Sequence, residues 1–205
     1  MGRHIAKLPA EELTCRGGPI SLGAHVREAW PHSPRRRLAV GLVEDRDAGR
    51  QGLSIGEAAA FALLEPAQQP ARGAIVLAGW GESSDAHHMS APHPEGRGSR
   101  AAMQLALARA GLQPADVGYI NLHGTATPAN DSSEGAAVAA VFGHGVPCSS
   151  TKGMTGHTLG AAGGVEAVVS ALALQHGLLP ASVGTQTPDP AIDLPIVMSP
   201  QPLPG

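Results

Sequence analysis

Aromatic side chains are scarce in this sequence, at 2% of its 205 residues, while apolar residues together make up 42%. A core of ordinary size is therefore available, but Ala, Val and Leu must fill it. Gly and Pro are abundant instead, with 27 and 18 residues, and they follow no fixed period. This distribution indicates many turns and excludes both a collagen-like and a low-complexity chain.

Cysteine and net charge are also low. Two cysteines, Cys15 and Cys148, are too few for a disulfide framework or a cysteine-based zinc site. A net charge of −3 gives no electrostatic reason to bind nucleic acid or an anionic membrane. No apolar run is long enough to span a bilayer, and residues 1–18 lack the apolar centre of a signal peptide. We therefore expect a cytoplasmic protein with neither a nucleic-acid nor a membrane partner.

Strand and helix patterns alternate from Gly52 onward, which predicts an α/β fold with a layered sheet. The predicted strands cover residues 73–83, 117–124 and 146–152, with a further short one at 194–198. The predicted helices cover residues 98–112, 131–143 and 156–177. Ser99 is expected to cap the start of the first helix and Gly111 to follow its end. The apolar stretch within 53–65 fits a strand or a helix equally well.

Two histidines, His123 and His157, lie at strand-to-helix turns among Gly, Thr and Ala, where α/β folds place functional groups. His157 is predicted in the first turn of the 156–177 helix. The positive potential there disfavours an imidazolium and favours a neutral ring that donates a hydrogen bond. Lys152 is placed to orient this ring. From spacing alone, catalytic and purely structural roles for the two histidines are equally supported.

Other polar residues surround the first histidine. Thr125 and Thr127 offer hydroxyls that suit a ligand with amide groups, and Glu134 opens the next helix, where it is expected to pair with Lys152. Metal binding is not predicted, because the remaining histidine cluster lacks ordered ligand spacing. That cluster consists of His87, His88 and His93.

Two segments resemble a known family. "HGTATPAND" at 123–131 and "SSTKGMTGHTLGAAGGVEA" at 149–167 are similar to the two histidine motifs of the β-ketoacyl-acyl-carrier-protein synthases, the condensing enzymes of the thiolase fold. The resemblance covers about 52–200, in register from about Asp47. It implies a thiolase-like layered fold (α-β-α-β-α), of which this chain holds the C-terminal half without the final strands. The implied domain is 47–205, and 1–46 is an unmatched segment, either disordered or frame-shifted.

The family joins a malonyl thioester to an acyl group held on a cysteine. The matching positions imply that His123 and His157 donate hydrogen bonds to the thioester oxygen, with Lys152 and Glu134 in the same polar network. Thr125 and Thr127 would contact the pantetheine arm. The implied substrates are carried on the phosphopantetheine of an acyl carrier protein, and no other cofactor is expected. The implied assembly is a homodimer, or a heterodimer with another ketosynthase chain, in fatty acid, polyketide or aryl-polyene biosynthesis.

The family's nucleophilic cysteine belongs to an N-terminal half that has no counterpart here. Cys15 lies in the unmatched segment, and the pattern around Cys148 is typical of a small buried side chain. We therefore expect an acyltransferase family member that is inactive alone, poorly soluble or obligately associated. The alternatives are a non-catalytic partner comparable to chain-length-determining subunits, or an inactive remnant. A frame shift over 1–46 predicts a cysteine-containing half in another frame immediately upstream, which sequencing of the locus would reveal.

Overall fold

The computed structural model describes residues 11–16, 18–23, 47–64, 66–67 and 74–203. Within these ranges the strands are β1 (Glu11–Arg16), β2 (Gly18–Gly23), β3 (Phe61–Leu64), β4 (Pro66–Ala67), β5 (Ile75–Leu77), β6 (Ile120–Asn121), β7 (Cys148–Ser149), β8 (Leu178–Leu179) and β9 (Gln201–Pro202). The α-helices are α1 (Arg97–Ala110), α2 (Pro128–Phe142), α3 (Lys152–Thr155) and α4 (Ala162–His176). Short 3-10 turns occupy Pro114–Asp116 and Leu159–Ala161.

Three sheets organise these strands. The largest has the order β3-β2-β1-β4, with β5 also paired to β1; β2 runs antiparallel to β1 and β3, whereas β4 and β5 run parallel to β1. β6 and β7 pair in parallel, and β8 and β9 pair antiparallel. The predicted strand at 194–198 is present as an extended segment beside β7, where Cys148 N–H donates to Pro195 and Val197 N–H donates to Cys148.

Small apolar side chains form the core, as the scarcity of aromatics predicts. Leu122, Val138 and Cys148 are buried together between β6, β7 and α2. Partly buried side chains that pack against them are Met103, Ile120, Phe142, Leu194 and Ile196. This cluster lies directly under the turn that carries His123, so the position of that turn depends on the packing of β6 against β7.

The predicted helix at 98–112 is observed one or two residues earlier, as α1. Its C-terminal cap is Gly111 in the left-handed conformation (φ 68°), which confirms the predicted end. Its N-terminal cap is Gly96 (φ 60°) and not Ser99, so that prediction is wrong. A Cβ at Gly96 would overlap the carbonyl oxygen of Ser133 in α2, so only glycine permits this approach of the two helices.

The single long helix predicted at 156–177 is wrong. The segment starts just after α3 and contains a loop, a 3-10 turn and then α4, which begins at Ala162. Gly156 and Leu159 adopt positive φ angles of 68° and 50°, and each interrupts the helical hydrogen-bonding pattern. His157 therefore lies in the loop between α3 and α4, not in the first turn of a helix.

Most of the unmatched segment 1–46 lies outside the described residues, apart from β1 and β2. The boundary between 1–46 and 47–205 stays a prediction. None of the helices described here is long and apolar enough to cross a membrane. Across the described ranges, no group of three or more His, Cys, Asp or Glu side chains is arranged to bind a metal ion.

Candidate active site

His123 lies where β6 ends. Leu122, just before it, is fully buried and donates its N–H to Ser149 O at 2.8 Å, which extends the pairing with β7. The carboxylate of Glu134 then accepts the N–H of His123 at 2.6 Å and the N–H of Gly124 at 3.0 Å. Glu134 therefore fixes the backbone that carries the histidine. This is a different contact from the pairing with Lys152 predicted for it.

His157 is held by a neighbouring segment of backbone. Its N–H donates to Ser54 O at 2.7 Å, and its carbonyl accepts the N–H of Gly56 at 3.0 Å. The ring nitrogen Nδ1 accepts the N–H of Leu159 at 3.1 Å. Because Nδ1 is an acceptor, a neutral ring carries its proton on Nε2.

The structure brings the two predicted histidines together. The ring centroids of His123 and His157 are 5.0 Å apart, and the ring planes are nearly perpendicular at 88°. The residues are 34 positions apart in the sequence, on two different loops. Both rings are partly exposed, so a ligand has access to them.

Lys152 and Glu166 lie behind His123. The Lys152 ammonium donates to Glu166 Oε1 and lies 3.1 Å from His123 Nδ1, while the same carboxylate oxygen is 3.0 Å from Nδ1. The side chain of Lys152 is 4% exposed. Lys152 thus contacts the first histidine, whereas the sequence pattern predicted that it orients the second.

Glu166 was missed as a site residue by sequence reasoning. A signal was present, because Glu166 is the only Asp, Glu, Lys or Arg between Lys152 and Asp189. An isolated carboxylate in an apolar helix is expected to have a buried partner. Asn121 was also missed; its Nδ2 donates to the Glu166 carbonyl at 3.2 Å and joins β6 to α4.

Comparison with known proteins identifies the family. Residues 74–186, more than half of the chain, match the family described as "Beta-ketoacyl synthase, C-terminal domain". The chain belongs to the β-ketoacyl synthase family. The match covers both predicted histidine motifs and α1 through α4.

Relatives of this β-ketoacyl synthase chain include two curated bacterial proteins. It is 45% identical over 156 residues to 3-oxoacyl-[acyl-carrier-protein] synthase 2 of Staphylococcus aureus, covering 73% of this chain and 39% of that protein. It is 41% identical over 155 residues to the Synechocystis protein of the same name, covering 72% of this chain and 37% of that one. The chain therefore spans less than half of the length of these relatives.

Solved structures show the same fold. A ketosynthase (ApeO) in complex with its chain length factor (ApeC) from Xenorhabdus doucetiae aligns with a TM-score of 0.71 and 49% identity, covering 79% of this chain and 40% of that one. A β-ketoacyl synthase from Burkholderia phymatum aligns with a TM-score of 0.72 and 32% identity, covering 90% and 48%. These alignments confirm the predicted thiolase-like α/β fold. The family match confirms that the chain corresponds to the C-terminal domain of that fold.

The protonation of His157 and Glu166 follows from their burial and from the neighbouring charges. Burial lowers the pKa of His157, the nearby His123 and Lys152 lower it further, and Glu166 opposes them. Burial alone would raise the pKa of Glu166, but the neighbouring His123 ring and the Lys152 ammonium hold it below its ordinary value. At neutral pH His157 is therefore an uncharged ring beside an ionised carboxylate. The predicted neutral state follows from burial and from the neighbouring positive charges. The helix-terminus explanation is wrong because α4 begins five residues later.

The two threonines of the first motif contact each other. The Thr125 hydroxyl lies 2.7 Å from the Thr127 hydroxyl, and Thr125 N–H donates to the buried Asp131 at 3.1 Å. Thr125 is buried, whereas Thr127 is partly exposed at the start of α2. The substrate contacts predicted for both residues stay predictions.

A buried ion-pair network lies next to the loop that carries Thr125 and Thr127. Arg50 Nε lies 3.3 Å from Asp131 Oδ2, and its Nη1 donates to Asp189 at 2.6 Å. Asp131 is fully buried and the Arg50 side chain is 5% exposed. Asp47 accepts the N–H groups of Gln186 and Thr187, which holds the 186–189 loop against the same network.

Proposed function

We propose that His123 and His157 together bind the thioester oxygen of a malonyl unit and stabilise the enolate that forms when carbon dioxide leaves. The observation that carries this proposal is the perpendicular contact of the two rings at 5.0 Å. Two N–H donors aimed at one developing oxyanion are a common form of electrostatic catalysis, and one such donor contributes about 2.7–4 kcal/mol.

The required protons are available at Nε2 of each ring. His157 accepts the Leu159 N–H at Nδ1, so its own proton is on Nε2. His123 Nδ1 lies 3.1 Å from the Lys152 ammonium and 3.0 Å from Glu166 Oε1. In this proposal Nδ1 accepts a hydrogen bond from Lys152, which leaves the proton of a neutral His123 ring on Nε2. In this proposal Lys152 and Glu166 set the tautomer and orientation of His123, and Glu134 holds its backbone.

In the proposed step, the bond between the malonyl carboxylate and the α-carbon breaks and carbon dioxide leaves. The electron pair passes into an enolate whose oxygen accepts hydrogen bonds from both rings. In a full condensation this carbanion attacks an acyl thioester held on a cysteine, and the thiolate departs. Without that acyl group, a proton from water completes the step and yields an acetyl thioester.

Cys148 does not supply the acyl-accepting thiolate. Cys148 is fully buried in the core, and its Sγ donates to Val146 O at 3.1 Å, so it is inaccessible to an acyl thioester. We propose that this chain contributes the decarboxylating half of a ketosynthase site and that the thiolate comes from another ketosynthase segment or chain. The malonyl unit would arrive on the phosphopantetheine of an acyl carrier protein, with Thr125 and Thr127 as contacts for that arm.

Decarboxylation tests this proposal. Malonyl-acyl carrier protein is incubated with the full chain, and acetyl-acyl carrier protein is measured by mass spectrometry. We expect slow release of acetyl product that is lost in both His123→Ala and His157→Ala. The matched control is His176→Ala, an exposed histidine in the last turn of α4, which should leave the rate unchanged.

The same assay distinguishes an enzyme from the alternative of a non-catalytic partner subunit. A chain that only supports a partner ketosynthase would show no decarboxylation of its own, and its two histidine variants would be indistinguishable from wild type. Indifference of the rate to both substitutions therefore overturns the proposal. Incubation with acyl-loaded carrier protein should leave the chain without a covalent acyl group.

A further inference from the structure

Two glycines cross closely beside His157. A Cβ at Gly56 would overlap the carbonyl oxygen of Thr155 and lie 3.1 Å from Gly156 Cα. A Cβ at Gly156 would lie 2.8 Å from Gly56 N and 2.9 Å from Gly56 Cα, and Gly156 also has a positive φ of 68°. The atoms that would be met are backbone atoms, so a side chain at either position cannot be accommodated by a rotamer change.

The crossing brings residues 54–56 into register with His157. Ser54 accepts the N–H of His157, and Gly56 donates to its carbonyl, so one short segment engages both backbone polar groups of the histidine. The two segments form a parallel bridge between Ile55 and His157. His157 lies between the four-residue helix α3 and a 3-10 turn, outside any regular helix, and the two backbone hydrogen bonds described for it are both made to residues 54–56.

We infer that Gly56 is a positioning residue for His157: the absence of a side chain lets residues 54–56 dock against 155–157 and turn the His157 ring onto His123. The catalytic importance of this restraint rests on the proposed function. The restraint itself is a claim about ring position, and it is tested without measuring activity.

The chain offers two matched glycine controls. Gly160 lies three residues from His157, and a Cβ there meets nothing within 4 Å, so Gly160→Ala adds a methyl group without a clash. Gly81 is as tightly packed as Gly56, because its Cβ would overlap the carbonyl oxygen of Ala102 in α1. Gly81→Ala therefore introduces a comparable backbone clash that does not involve residues 54–56 or 155–157.

The experiment is an NMR titration of histidine rings in the ¹⁵N-labelled full chain, with nuclear Overhauser contacts between the His123 and His157 rings. In Gly56→Ala we expect the inter-ring contacts to disappear. The His157 midpoint should rise toward its ordinary value of about 6.5, because the ring moves away from His123 and Lys152 and into water. Gly160→Ala should match wild type. Gly81→Ala should lose thermal stability but keep the wild-type His157 midpoint and ring contacts.

The inference is overturned if Gly56→Ala keeps the midpoint and the ring contacts, or if Gly81→Ala shifts them equally. If Gly56→Ala does not fold, hydrogen exchange in wild type decides: the amides of His157 and Gly56 should be protected together, and rapid exchange at His157 refutes the restraint. None of these readouts depends on decarboxylation. If the proposed function fails, this test of the His157 restraint is still valid. If the restraint fails, the decarboxylation test is still valid.

Discussion

The ammonium of Lys152 and the carboxylate of Glu166 form an ion pair, and both partners lie within 3.1 Å of Nδ1 of His123. The lysine side chain is 4% exposed and the glutamate 21%, so water shields mainly the carboxylate. A buried charge without a partner is costly, so the lysine requires this carboxylate. The orientation of His123, which follows β6, thus depends on a residue of α4.

Glu166→Gln keeps the shape of the side chain but leaves Lys152 buried beside a neutral amide. We expect the free energy of unfolding, measured in urea, to fall by about 1–3 kcal/mol, less than for a fully buried pair because Glu166 is partly exposed. Glu95→Gln is the matched control, since the Glu95–Arg97 pair is exposed and its loss should be undetectable. In a double-mutant cycle with Lys152→Met, strictly additive changes in the free energy of unfolding would contradict a direct interaction, because contacting residues couple by about 0.5–3 kcal/mol.

The same carboxylate predicts an acid-dependent loss of stability. Its pKa in the folded chain is held below the ordinary value by His123 and Lys152, against the opposing effect of burial. A lowered carboxyl pKa stabilises the fold fully above the unfolded value of about 4.3, and the contribution is lost as pH falls through the folded pKa. The stability difference between wild type and Glu166→Gln should therefore shrink below pH about 4.3. A difference that stays constant into acid would show that the charge is not responsible.

Lys152→Met should raise the pKa of His157. Burial is the main cause of the lowered value, but the positive charge of Lys152 adds to it, and Glu166 acts in the opposite direction. Removal of the lysine takes away a positive charge and leaves the Glu166 carboxylate in place. The loss of repulsion and the remaining attraction both favour the imidazolium form of His157. The NMR titration midpoint of His157 is expected to move up, whereas Arg109→Met, which alters the stacking on Trp80, should leave it unchanged. A downward shift in Lys152→Met would contradict the local electrostatic account.

Local chemistry made some of this architecture predictable from sequence. Gly111 follows the end of its helix as expected, because glycine readily adopts a positive φ. The break before α4 was not predictable in the same way. Leu159 adopts a positive φ without being a glycine, and residue type gives no signal for such a conformation. The role of Glu166 likewise depends on which side chains of β6 and α3 meet α4, and periodicity carries no such information.

Arg50→Met should be strongly destabilising, although the residue lies far in sequence from either histidine motif. Its guanidinium is 5% exposed and pairs with Asp131, which is fully buried beneath the His123 loop. The substitution leaves that carboxylate without its cation, at a typical cost of about 3–5 kcal/mol for a buried pair. Arg97→Met removes a guanidinium that is 68% exposed and should have little effect in the same urea titration. Equal effects of the two substitutions would refute the importance of the buried network.

Cys148 should be chemically silent in the folded chain. Its thiol is fully buried beside Leu122 and Val138 and donates to the Val146 carbonyl, so neither iodoacetamide nor an acyl thioester can reach it. We expect alkylation of Cys148, followed by peptide mass spectrometry, to occur only in urea concentrations that unfold the chain. Cys148→Ala should therefore leave the malonyl decarboxylation rate unchanged. Rapid native alkylation, or a covalent acyl group on Cys148, would instead make this thiol a candidate nucleophile, and the proposed need for a thiolate from another segment or chain would be wrong.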